Sequence, residues 1–168
     1  MEIIDSWDKY FFKLTNLVAI KSKDNSSKVG SIVVKENRIL TTGFNGFCIG
    51  VKDKVERYNN KELKYRFIGH AEFNSCIVAS RFGICLKNAT LFTQSTPCHE
   101  CAKSIIQSGI RTVKTLAVCN DIWKKYNGHW QDSSEIAITM FLESGVELFE
   151  SDIFCNDEVL IGGKIYTV

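Results

Sequence analysis

The sequence predicts an α/β protein in which a central sheet is covered by helices on both faces. Three observations lead there. Apolar residues alternate between helical spacing and short β-type runs in the order α-β-β-α-β-α-β-α-β. The dipeptide Glu36-Asn37 separates two of those runs as a two-residue hairpin turn. The length, 168 residues with 45% hydrophobic content, suits a single domain over residues 1–168 with its own core.

The elements follow in order. Residues 6–20 read as a helix, with Trp7, Tyr10, Phe11, Leu14, Leu17 and Val18 forming one apolar stripe expected to face the core. Lys21 to Ser27 is a polar loop, and Val29 to Lys35 and Arg38 to Gly43 read as the hairpin strands. Phe44 to Arg66 lacks clear periodicity; a loop that long in a small domain tends to be functional or disordered. Ala71 to Phe82 reads as a helix buried on most sides, and Ala89 to Thr93 as a short strand. Pro97 to Gly109 reads as a helix, capped by Thr96, with Pro97 in its first turn and Gly109 at its end. Thr112 to Val118 reads as a buried strand and Gln131 to Ser144 as a helix with Asp132 and Glu135 at capping-box spacing. Val146 to Phe149 is a last short strand. Ser151 to Val168 carries no clear signal and is expected to add strands or to sit at an interface.

Composition narrows the function classes. No run of 18 apolar residues suggests a membrane span, and the start, MEIIDSWDKY, lacks the order of a secretion signal, so a cytoplasmic protein is expected. The net charge of +2 is too small to argue for a nucleic-acid surface. The basic cluster Lys52, Lys54, Arg57, Lys61, Lys64 and Arg66 reads as a solvated loop. Of seven cysteines only Cys98 and Cys101 have ligand spacing; Cys48, Cys76, Cys85, Cys119 and Cys155 are expected to be buried, inert thiols.

His70-Ala71-Glu72 and Pro97-Cys98-His99-Glu100-Cys101 carry the chemistry. Together they are the H-x-E and P-C-x-x-C signature of zinc-dependent base deaminases. Cys98 and Cys101, three apart in a first helical turn, aim both sulfurs to one side. A helix N-terminus favours negative charge and so the thiolates that zinc binds. His70 opens the other helix, so two helix N-termini converge on one ion. Three ligands leave a fourth position open for a water, whose pKa zinc lowers to about 7. Glu72 is then the proton shuttle: it takes the water's proton, protonates the ring nitrogen and protonates the leaving amine. A zinc that only stapled the fold would leave Glu72 without a task.

The chain also resembles the deoxycytidylate (dCMP) deaminase family, within the cytidine deaminase superfamily, from about Trp7 to Glu150. The likeness is carried by H-A-E-F-N, P-C-H-E-C-A-K, Ser22 to Ser31 (S-K-D-N-S-S-K-V-G-S), Gly43 to Gly46 (G-F-N-G), L-K-Y at Leu63 to Tyr65, and I-I-Q-S-G-I at Ile105 to Ile110. The resemblance implies a three-layer α/β/α sandwich around a mixed five-stranded sheet, one catalytic Zn2+ per chain, and conversion of dCMP to dUMP for thymidylate synthesis. It implies a homo-oligomer, often a hexamer, and dCTP and dTTP as effectors, the latter with Mg2+. It also implies that Asn45 holds the deoxyribose, the Ala71 N–H meets the base carbonyl, the Thr96 region accepts from the amine, and Ser22, Lys23 and Lys28 approach the 5′-phosphate. One departure is visible: Cys48 and Ile49 stand where the family often has Pro and a polar residue, in a segment linked to effectors.

Alternatives remain for several residues. Asn45 could serve only its Gly-flanked turn. Asn74 could orient the site or face another helix, and Lys28 could be a solvated strand-end lysine. His99 is expected to point to solvent and His129 to lie in a turn, while Tyr126 and Trp130 either close over substrate or pack beneath a loop. Two other functions fit the motif: a nucleic-acid deaminase acting on tRNA adenosine, which needs a basic surface, and a non-catalytic zinc-stapled nucleotide-binding module.

Overall fold

Glu36 and Asn37 adopt left-handed conformations (φ 51° and 57°), the pair that a tight hairpin demands, and the sheet starts there. Strand β1 (Gly30–Lys35) pairs antiparallel with β2 (Arg38–Phe44). On its other side β1 pairs antiparallel with β5 (Thr90–Thr93), which continues in parallel into β6 (Thr112–Leu116) and β7 (Glu147–Ser151). The order β2-β1-β5-β6-β7 is the mixed five-stranded sheet that the resemblance implied. The computed structural model describes residue 4 and residues 6–126 and 128–168, the side chains of residues 128 and 129 excepted.

Side-chain alternation divides the core in two. Val33 and Leu91 point to a layer built by α4 (Ala71–Arg81), α5 (His99–Gln107) and α7 (Gly128–Ser144). Ile32, Val34 and Phe92 point the other way, to α1 (Trp7–Ala19), α6 (Ala117–Tyr126) and the C-terminal hairpin of β8 (Glu158–Ile161) and β9 (Lys164–Thr167). Two glycines let helices close on the sheet. A Cβ at Gly30 would lie 2.1 Å from the Thr15 carbonyl oxygen of α1, and one at Gly43 would lie 2.3 Å from the Ala71 carbonyl oxygen of α4.

Several expectations are corrected. The buried face of α1 is Phe11, Phe12, Thr15, Asn16 and Ala19, while Trp7 and Leu17 of the expected stripe are more than half exposed. The helix is turned because Thr15 and Ala19 seat on Gly30 and Asn16 donates to Asp157 of the C-terminal segment at 3.0 Å. Helix α4 is buried on one face only, with Phe73 and Ile77 exposed. The 44–66 stretch holds β3 (Gly46–Phe47), α2 (Val55–Asn59) and most of α3 (Lys61–Phe67), and β3 pairs with β4 (Ile68–Gly69). These pieces are too short to show a period. The run T-V-K-T-L-A-V is strand only to Leu116; Ala117 begins α6, whose buried Cys119, Asn120 and Trp123 have helical spacing. Short apolar runs of strand and helix are alike by periodicity.

The turn expected around His129 falls partly on residue 127, outside the described residues; from Gly128 on the chain is helical, so Asp132 and Glu135 lie inside α7 rather than at its cap. Helix α5 is capped by Cys98 rather than Thr96, which leaves Pro97 before the helix. Cys76, Cys119 and Cys155 are buried as expected, whereas Cys48 and Cys85 are exposed.

Helix α4 carries His70 at its cap, so its seat on Gly43 matters for the site. Gly43→Ala is expected to destabilise the protein by about 1–3 kcal/mol, the range for overpacking, and to weaken metal retention. Urea unfolding together with zinc analysis of the purified variant checks both.

Candidate active site

β4 ends at Gly69, and His70 follows in extended conformation (φ −71°, ψ 160°) as the N-cap of α4. Asn74, one turn on, donates its amide to the Phe44 carbonyl (2.8 Å) and the Gly69 carbonyl (3.2 Å). It thereby ties the backbone that delivers His70 to the end of β2. On the neighbouring element, β5 ends at Thr93, and Cys98 caps α5 with φ −73° and ψ 166°. The Cys101 N–H donates to the Cys98 sulfur at 3.5 Å, as expected for two cysteines in one first turn.

The two helix starts meet. The His70 Nδ1 lies 3.3 Å from Cys98 Sγ and 3.6 Å from Cys101 Sγ, and the three donor atoms all fall within 4.8 Å of one another. A tetrahedral zinc with bonds of about 2.3 Å to sulfur and about 2.1 Å to nitrogen separates such donors by about 3.6 Å, so the triad fits that ion. The thiols point the same way. Cys98 is drawn down to about 4 by a hydrogen bond from the Cys101 thiol and by His70 beside it. Cys101 is pushed well above the ordinary thiol range by the same pairing and by burial. Two sulfurs this close resist carrying two negative charges unless a cation lies between them.

Glu72 sits beside the triad and is itself 2% exposed. Its Oε1 accepts from the Thr93 hydroxyl at 2.9 Å, and its Oε2 lies 3.4 Å from Cys101 Sγ. Burial raises its pKa above the usual carboxylate range, with His70 opposing. A carboxyl that takes up a proton so readily is suited to passing one on.

His70, Cys98 and Glu72 lie in the wall of a cavity of about 400 Å³; Cys101 is not among the lining residues. Trp123, Tyr126 and Trp130 form one side, with Trp123 and Trp130 stacked at 5.1 Å and the Trp130 ring 6.2 Å from the His70 ring. Tyr126 and Trp130 therefore wall the cavity, the point that the residues alone left open. His99 also lines it, contrary to expectation, with Nδ1 2.7 Å from the Ser133 hydroxyl. Another part of the lining is the rim formed by the 24–29 loop. Asp24 accepts from the Ser26 N–H (2.8 Å) and the Ser27 N–H (3.3 Å) and pairs with Lys64 at 3.1 Å; both side chains of that pair are buried. Ser26, Ser27, Lys61 and Tyr65 complete that rim.

The remaining expected site residues divide. Ala71 and Asn45 line the cavity. The Asn45 amide is engaged within the loop, accepting from the Val29 N–H (2.8 Å) and donating to the Ser27 carbonyl (2.8 Å). Thr96 lies behind the wall: its N–H and hydroxyl both donate to Asn120 Oδ1 (2.7 and 3.2 Å), and Ser95 faces the cavity instead. Ser22, Lys23 and Lys28 are not among the lining residues. Ser22 donates to the Asn45 carbonyl, Lys23 pairs with Asp53 at 2.7 Å, and the Lys28 amine reaches the Ile20 carbonyl. Sequence reasoning missed Asp24, although D-N-S-S is the signature of an Asx turn. It also missed Thr93, Asn120, Trp123 and Ser133, which carry no local signal.

A mixed sheet with two helix N-termini presenting His, Cys, Cys and a buried Glu defines the class: a zinc-dependent hydrolytic deaminase of the cytidine deaminase superfamily. The comparisons agree. The model of the cytidine and deoxycytidylate deaminase zinc-binding region matches residues 5–117, and the chain belongs to that family. An uncharacterised deaminase from the luxG 3′ region of Aliivibrio fischeri is 35% identical over 87% of this chain and 94% of its own. The human deoxycytidylate deaminase is 34% identical over 83% of this chain and 76% of its own. The dCMP deaminase of cyanophage S-TIM5, solved with dCMP and dUMP, shares the fold with a TM-score of 0.66 at 24% identity, covering 89% of this chain and all of the phage chain.

Two outcomes follow from this geometry. Chelation is expected to strip one zinc per chain and to lower the Tm, because an ion bound only by the native state is linked to folding; calorimetry before and after zinc is restored checks this. Lys64→Met leaves Asp24 buried without its cation. It is expected to destabilise the fold by about 3–5 kcal/mol, measured by denaturant unfolding, a loss that an exposed pair such as Arg66–Glu62 would not give.

Proposed function

We propose that this chain hydrolyses dCMP to dUMP and ammonia. The observation that carries the reading is the buried carboxyl of Glu72 set against the His70, Cys98 and Cys101 donors in a cavity roomy enough for a nucleotide. The named activity of the human relative supports the choice of substrate.

Zinc, held by His70 Nδ1 and the two sulfurs, supplies a Lewis acid that makes water nucleophilic near neutral pH. The chain's own groups do the rest. Glu72 takes a proton from the attacking water and delivers it to the ring nitrogen. It then carries the second proton to the departing amine, so that one water enters and one ammonia leaves. Thr93 keeps the carboxylate aimed. The N–H of Ala71, in the first turn of α4 where no intrahelical acceptor is available, serves the base carbonyl. Asn45 bears on the sugar from the cavity wall, and the Thr96 turn, through Ser95, lies where the amine leaves. The 5′-phosphate meets the rim at Ser26, Ser27 and Lys61, next to Lys23 and Lys28 rather than on them. Among the described residues, no ion pair engages Lys61.

The same family reading makes the protein a cytoplasmic homo-oligomer, with a hexamer the form to test, and makes dCTP and dTTP–Mg2+ its effectors. Exposed apolar residues on α1 and α7 (Trp7, Leu17, Ile136 and Leu142) supply surface for self-association.

The purified zinc protein should turn over dCMP, and Glu72→Gln should lose about 10²–10⁴-fold in kcat while keeping zinc and fold. Assays on dCMP, dCTP, deoxycytidine and a tRNA stem-loop check the reading. Turnover confined to the stem-loop overturns it in favour of a nucleic-acid deaminase, and undiminished turnover by the variant removes Glu72 from its role.

A further inference from the structure

The C-terminal hairpin lies outside the span matched by the family, yet its turn touches two walls of the cavity. Gly162 and Gly163 form that turn, both left-handed (φ 60° and 77°), between the paired Ile161 and Lys164. The Gly163 N–H donates to the Ser26 carbonyl at 2.7 Å, and the Gly162 N–H donates to the Ser27 hydroxyl at 2.9 Å. Beside them the Lys28 N–H donates to the Leu160 carbonyl at 2.9 Å. Three consecutive residues of the 24–29 rim are thus held by Leu160, Gly162 and Gly163 of the hairpin.

The second wall is Tyr126. A Cβ placed on Gly162 would lie 2.1 Å from the Tyr126 ring, so the ring rests directly on the glycine. The hairpin can hold both walls because it is itself fixed: Val159, Ile161 and Val168 are buried in the core with Phe11 and Phe12 of α1. Asp157, at its base, pairs with Lys13 (2.8 Å) and accepts from Asn16 (3.0 Å).

We propose that the Gly162–Gly163 turn is a positioning device of the active site, setting the spacing between the Ser26–Ser27 rim and the Tyr126 wall so that the cavity grips the phosphate end of the substrate. This rests on the reading of the substrate as a nucleoside monophosphate. Gly162 and Gly163 act through Ser26, Ser27 and Tyr126 and touch no reacting atom. The effect is therefore on substrate grip rather than on the chemical step.

Gly162→Ala in the full zinc-loaded chain is the test, with Lys164→Ala as a control on the exposed side of the same turn. The variant is expected to raise KM for dCMP by about tenfold with kcat within about twofold, and to leave kcat/KM for deoxycytidine, which has no phosphate, within about twofold. In a Tyr126→Ala background the same substitution is expected to raise KM by less than it does alone, because the ring it displaces is gone and only the strain of a left-handed alanine remains. A second measurement does not depend on substrate: amide hydrogen exchange of Ser26 to Lys28 should quicken in Gly162→Ala and not in Lys164→Ala. Unchanged exchange in that segment overturns the proposal even if the substrate reading fails. An equal loss on dCMP and deoxycytidine, with unchanged zinc content, overturns it as well. If the parent turns over no dCMP, the substrate reading has failed, and exchange alone decides the role of the turn.

Discussion

Two sulfurs, an imidazole and a carboxyl crowd one buried corner, and much of the architecture follows from making that tolerable. Two adjacent thiolates repel, and both are shielded from water. The fold answers with positive potential from several sources. Cys98 and His70 are each the cap of a helix, so the partial charges of two N-termini face the donors. His70, which would bind the ion as a neutral imidazole, lies within 3.6 Å of both sulfurs. A divalent ion completes the balance. It is held by groups from α4 and α5, which pack on each other and on one sheet, so the mixed sheet with its parallel β5–β6 step helps to bring the donors together.

A different balance operates across the cavity. Asp24 and Lys64 are a buried ion pair, which alone is weak evidence of stability. Here Asp24 has further work: it accepts two backbone N–H groups of its own loop and faces the Asn45 amide. The charge thus satisfies the Ser26 and Ser27 N–H groups, while the C-terminal hairpin engages the Ser26 carbonyl and the Ser27 hydroxyl. Lys64, delivered by α3 from forty residues away, locks that loop from outside. The rim is thus tied from both sides without belonging to either core layer.

This explains how much could be read in the residues. The triad and Glu72 were legible because their chemistry demands fixed spacings along a helix, and those spacings survive as H-x-E and P-C-x-x-C. The hairpin at Glu36-Asn37, the sheet and most helices were legible for the same reason: turn chemistry and periodicity are local. What escaped depends on contacts between distant segments. The face of α1 is chosen by Gly30 and Asp157, not by its most apolar stripe. Thr96 reads as a helix cap until Asn120, from the unforeseen α6, takes both of its donors. Lys23 reads as a phosphate ligand until Asp53, thirty residues on, occupies it.

The span matched by the family ends at residue 117, and the division is physically meaningful. Within it lie the metal donors, Glu72, Thr93, Asn45 and the Asp24 loop. Beyond it lie Trp123, Tyr126, Trp130 and Ser133, which shape the cavity without supplying a proton or a ligand atom to the triad. Chemistry of this kind tolerates little change in distance, since a proton must pass between atoms about 3 Å apart. A wall tolerates more, because an aromatic surface can be exchanged for another of different depth and still exclude water. The proton-transferring carboxyl and the metal donors therefore reside in the first two thirds of the chain together with the 24–29 rim and Asn45, and the last third adds the aromatic wall. That last third, with α6, α7 and the closing hairpin, supplies Trp123, Tyr126, Trp130 and Ser133 to the cavity and holds Ser26 and Ser27 of its rim.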